Sequence, residues 1–253
     1  MEPFDNDEML NDMAAMLENS RAHQEAMCKQ EKERVAANIA HLNSLRAEIS
    51  LMEDLYTADA LSLITDAMHT CASIAGEDII NRGEYKKKTE LVELFLFYAN
   101  HLMEFEHPVD TVQQAANNMA DVLGDYPRLK LEVMRIRLQA LRVIENRVMH
   151  DLGIAEDLLE EIRRYSGNIE AADRGDFDSI VDSGLLKRDP VEWTKEWEKV
   201  IDDVNIIVEE RLADQPRGMG FCHALWHERA AVLKEFGIEW RSPSVMNPGV
   251  NFD

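Results

Sequence analysis

The chain has 253 residues, of which 49 are acidic and 27 basic, giving a formal net charge of −22, and 45% of its residues are hydrophobic. That hydrophobic share supports a folded core and excludes wholesale disorder. The charge would repel phosphate backbones and anionic lipid over most of the surface, so direct binding of nucleic acid is not expected.

The first ten residues, MEPFDNDEML, lack the basic start and apolar run of a secretory leader. Cys28, Cys71 and Cys222 are too few and too scattered for a disulfide framework, so a cytoplasmic location is the expectation. No stretch reaches the roughly 18 apolar residues of a membrane span. The nearest, residues 91–99, is short and carries Glu93.

Residues 5–75 contain neither Gly nor Pro. Within them Val35, Ile39, Leu42, Leu45, Ile49, Met52 and Tyr56 recur in steps of three and four, which predicts a long amphipathic helix through about position 56. Several of these positions also fit a heptad, leaving pairing with a second copy through this helix open. Thr57 and Asp59 predict a cap and a second helix ending at Gly76, with Cys71 in its core face. The Lys86-Lys87-Lys88 run reads as a solvated helix start. Residues 91–106 are the most apolar segment and are expected to be core, including Phe95, Phe97 and Phe105, with the His107-Pro108 step ending the helix. Asp110 is expected to cap a short helix reaching Leu123.

Asp125 and Pro127 open a helix over 128–149 that is apolar around most of its circumference, leaving Glu132, Arg135, Gln139, Arg142 and Asn146 as a narrow polar stripe. It reads as the central helix. Six basic residues against two acidic ones also make it cationic within an acidic chain. Ion pairs to neighbouring helices explain this most simply; an anionic ligand at Arg135 and Arg142 is the alternative. Gly153 then interrupts, and a short helix is expected to stop at Gly167. A turn at Gly175-Asp176 follows, and Asp189-Pro190 predicts another helix with Trp193, Trp197, Val200, Val204, Ile207 and Leu212 on one face. No segment shows the alternation of a strand.

Residues 217–253 differ from the rest, holding four acidic and four basic side chains together with Trp226, Trp240, Met246 and Phe252. A neutral, aromatic-rich end on an acidic chain has the composition of an interface. His223 and His227 lie one turn apart on a helix over 221–236, a spacing that can hold a divalent metal. Cys222 turns toward the opposite, apolar face. Arg229 falls in the middle of that apolar face, so a carboxylate or an aromatic ring is expected to meet it. Gly237 ends the helix, and the apolar content of the tail predicts that it lies along the helices or in a groove on a partner.

The reading is therefore an all-α bundle of about eight or nine helices, with 1–56 as a long N-terminal helical region that can project, 57–240 as the bundle and 241–253 as an extended, packed tail. Phosphate-loop, nucleophile-elbow and HExxH motifs are absent from the sequence. The leading expectation is a non-enzymatic binding or regulatory protein with a protein partner, of basic character if charge selects it, and without a cofactor. The alternatives are a ligand-binding or metal-binding helical protein or enzyme, and an acidic mimic of nucleic acid that sequesters a basic partner.

Overall fold

A computed structural model describes residues 6–77, 88–105, 108–150, 153–182, 184, 186–215 and 217–252; the side chains of residues 6–21, 23–25 and 28 lie outside that description. Among the described residues there are nine α-helices and no strand, as the sequence periodicity requires. In chain order they are α1 (Asn6–Ser50), α2 (Ala58–Ala75), α3 (Lys88–Leu102), α4 (Val109–Asp121), α5 (Pro127–Val148), α6 (Ile154–Asp173), α7 (Lys195–Arg211), α8 (Phe221–Glu235) and α9 (Pro243–Met246). No helix among the described residues is long and apolar enough to cross a membrane.

Pro127 occupies the first position of α5, where its missing N–H costs nothing and its fixed φ favours the helix. The helix packs against α3, α4 and α6. Leu131, Val133, Met134, Ile136, Ala140 and Leu141 are buried around it, while Glu132, Arg135, Gln139 and Asn146 remain exposed in the expected stripe. Three of its six cationic residues, Arg128, Arg142 and Arg147, meet carboxylates of other elements. Arg128 pairs with Asp173 at 2.7 Å and with Glu198 at 3.3 Å, and Arg147 pairs with Asp110 at 2.9 Å.

Four boundaries differ from those read in the sequence. α1 stops at Ser50, although the apolar rhythm runs on to Tyr56. The Ser50 hydroxyl donates to the Ala47 carbonyl at 2.7 Å and Asp54 accepts the Tyr56 amide at 2.8 Å. Such short side chains offer the backbone an alternative to the helix. Thr57 then caps α2 by accepting the Ala60 amide at 3.2 Å.

Asp110 does not cap α4, which starts behind Pro108; its carboxylate is the one that meets Arg147. α6 continues through Gly167 to Asp173. Glycine inside a helix costs about 1 kcal/mol, and burial of Tyr165, Asn168, Ile169 and Ala172 on either side offsets that cost. The Asp189-Pro190 step starts only a 3-10 turn (Pro190–Trp193), after which Thr194 caps α7 by accepting the Trp197 amide at 3.2 Å.

Cys71 is fully buried, as its place on the apolar face of α2 implies. Phe97 is not core: it is 63% exposed on the outer side of α3, whereas Phe95 and Tyr98 point inward. His107, Lys86 and Lys87 lie outside the described residues; Lys88 begins α3 and donates to the Val122 carbonyl at 3.4 Å.

Candidate functional site

α7 presents a polar row beside its apolar stripe. Glu198, Asp202, Asn205 and Glu209 recur in steps of four, three and four, so they share one side of the helix. Each is taken by a different element. Glu198 accepts the Arg128 amide at 2.7 Å at the start of α5. Asp202 accepts the buried Tyr126 hydroxyl at 2.8 Å and also meets the Thr89 hydroxyl at the start of α3. Asn205 accepts from Arg229 of α8 at 2.8 Å, and Glu209 pairs with Arg217.

Asp125, in the turn ahead of α5, completes the Arg229 site with guanidinium contacts of 3.1 and 3.5 Å. The carboxylate that the position of Arg229 demanded is thus supplied from 104 residues away. Burial pushes the Asp125 carboxyl up, but Arg229, together with Arg188 and Lys88, pulls it below the ordinary carboxylate value overall. Burial pushes the Tyr126 phenol far up, reinforced by Asp202. Burial also raises Glu198 to about 7, against the opposing pull of Arg128 and the helix amides.

This seam ties the C-terminal segment to the bundle. The Trp240 indole donates to Glu192 at 2.8 Å, and its ring lies 6.1 Å from that of Trp197. Arg241 pairs with the buried Asp189 at 3.0 Å. Asn247, itself buried, accepts the Lys187 amide at 2.7 Å and donates to the Lys187 and Pro243 carbonyls, both at 2.9 Å. A single amide that accepts and donates at once thus joins the Lys187 backbone to the start of α9. The tail therefore docks on its own chain, and it includes the single turn of α9 rather than being extended throughout.

Past α9 the chain returns to α8. Phe252 packs edge-on against Trp226 with centroids 5.0 Å apart, and His223 Nε2 donates to the Phe252 carbonyl at 3.1 Å. Between α8 and the tail lies a groove of about 360 Å³ lined by His223, Trp226, His227, Ala230, Trp240, Arg241, Ser242, Ser244 and Val245. It gathers His223, Trp226, His227 and Trp240 of the residues that the sequence singled out near the C-terminus. Met246 and Phe252 are half-buried beside it, and Arg229 lies inside on the seam.

His223 and His227 are both exposed on the outer side of α8, and Cys222, a half-buried free thiol, is not with them. Among the described residues no third His, Cys, Asp or Glu joins the pair to form a metal-sized cluster. Arg135 and Arg142 face outward along α5, where Arg142 donates to Glu145 at 3.0 Å and also pairs with Glu156.

In the sequence Glu198, Asp202, Asn205 and Glu209 look like an ordinary polar face of α7, and Asp125, Asp189 and Asn247 are likewise unmarked, so only Arg229 announced the seam. Compared with protein families, curated proteins and solved structures, the chain gives no match. Its function is therefore argued from its own residues.

Proposed function

We propose that this chain is a non-enzymatic binding protein whose groove on α8 receives a segment of a protein partner. One observation carries the reading: the groove walled by Trp226, Trp240 and Val245 is open, and its Trp226 edge already holds an aromatic side chain, Phe252, from the same chain. A surface that packs one ring edge-on and offers His223, Ser242 and Ser244 as polar contacts has the mix of aromatic anchor and hydrogen-bonding rim found at partner-binding sites. The neutrality of residues 217–253 supports the same reading, since an acidic partner is repelled less there than at the acidic bundle. Basic partners gain further from the field of the remaining chain.

The test uses changes that spare the fold. Val245 is 62% exposed and His227 is exposed, so Val245→Asp and His227→Glu alter the groove without touching the seam. Truncation at Ser242 would remove Asn247 and release the Lys187 backbone, which confounds binding with stability. Proteins that co-purify with the wild-type chain, once reconstituted from pure components, should lose affinity for both variants. If every reconstituted partner binds both variants as it binds the wild type, the groove is not the site.

A further inference from the structure

At the end of α3 remote from the polar seam, the fold leaves aromatic surface uncovered. Phe97 and Tyr56 are 63% and 61% exposed. Phe97 and His101 lie four residues apart and are neighbours on one face of α3. Tyr56, His101 and Phe105 form a triangle with ring separations of 5.3, 5.5 and 5.6 Å.

Hydrogen bonds hold these rings in place. The Tyr56 hydroxyl donates to Glu104 at 3.0 Å, His101 Nε2 donates to the Leu55 carbonyl at 3.2 Å, and Asp54 accepts the Tyr56 amide at 2.8 Å. A surface ordered in advance loses little freedom on binding.

Carboxylates surround it. Exposed Glu93 lies one turn before Phe97, and exposed Glu104 follows His101. Glu53, Asp54 and Asp59 are exposed in the turn that carries Tyr56. Phe97 itself packs against the buried Tyr98, with ring centroids 5.5 Å apart.

We propose that this face docks a cationic amphipathic segment of a partner protein, with an apolar residue against Phe97 and Tyr56 and Lys or Arg side chains beside Glu93, Glu104 and the 53–59 carboxylates. Aromatic faces attract guanidinium and ammonium groups, and the carboxylate rim adds to that attraction. The rim also argues against the other occupants. A second copy using the same patch would bring like charges together, and anionic lipid or nucleic acid would be repelled. This surface is separate from the groove on α8, and either can fail without the other.

The probe is a synthetic amphipathic helix of leucine and lysine, titrated into the full chain and read by fluorescence anisotropy, with a leucine and glutamate helix as its counterpart. Binding of the lysine helix should weaken with salt. Phe97→Ala, and separately the double change Glu93→Gln with Glu104→Gln, should each weaken it about tenfold or more. Both alter exposed positions, and the second keeps an acceptor for Tyr56. Glu132→Gln on α5 and Val245→Asp in the groove should leave binding unchanged.

Any of five results would overturn the proposal. These are no binding of the lysine helix, equal binding of the glutamate helix, wild-type affinity in Phe97→Ala, loss of affinity in Val245→Asp, or a wild-type dimer that Phe97→Ala converts to monomer. The last would assign the face to a second copy.

Discussion

Replacing Arg229 with Met isolates the polar seam from the apolar packing around it, because methionine can fill the space of the arginine stem without its charge. The guanidinium is 17% exposed, the Asp125 carboxylate 30% exposed, and the change also removes the Asn205 contact. Breaking a fully buried ion pair costs about 3–5 kcal/mol. The partial exposure of Asp125 and the nearby charges of Arg188 and Lys88 reduce this, so about 2–3 kcal/mol is expected. For a chain of this size that corresponds to a fall in melting temperature of roughly 5–10 °C.

The sign of the pH dependence follows from Asp125. In the wild type its carboxyl is held below the ordinary value, so its stabilising contribution is present above about pH 4 and is lost as the pH falls through the lowered value. Without Arg229 the burial cost of the charged form loses its largest opponent, so the deficit of Arg229→Met should be greatest near neutrality and shrink in acid. Asp125→Asn added to Arg229→Met should recover part of the loss. Thermal melts followed by circular dichroism across the acid range read all three effects. A variant within about 1 °C of wild type at neutral pH, or a deficit that grows in acid, would refute the role given to this pair.

Glu198→Gln tests the half-buried α7 carboxyl that accepts the first amides of α5. Its value of about 7 lies above the ordinary 4.5, so the wild type should be most stable relative to the variant in acid and lose up to about 3 kcal/mol of that difference as the pH rises from 4.5 through about 7. Parallel stability curves would show that Glu198 stays ionised in the fold. Asn247→Ala should cost about 2 kcal/mol and speed proteolysis next to Lys187, because three hydrogen bonds of a buried amide are lost; unchanged cleavage would mean the tail is held elsewhere. For His223 and His227, chelation of untagged protein should leave the melting temperature unaltered, since His223 is engaged by the Phe252 carbonyl and no third ligand joins the pair among the described residues. A drop of several degrees, about 1 kcal/mol or more, would establish a bound metal.

What the sequence alone determined is the set of features that depend on near neighbours. Helix period, the Thr57 cap, the proline start of α5 and the interruption at Gly153, where φ is 73°, involve residues within about four positions of one another. The narrow polar stripe of α5 and the inward place of Cys71 follow from the same local geometry. Arg229 shows where this reasoning stops. Its position among apolar residues demanded a partner, but its spacing could not say that the carboxylate would be Asp125, 104 residues away.

Only the tertiary structure decided which apolar residues are covered, because burial depends on elements that meet across long separations. Phe95 and Phe97 look alike in the sequence, yet one faces the bundle and the other faces out. The groove on α8 exists because Asn247, Arg241 and Trp240 are tied to residues 48 to 60 positions earlier, which bends the tail back over the helix.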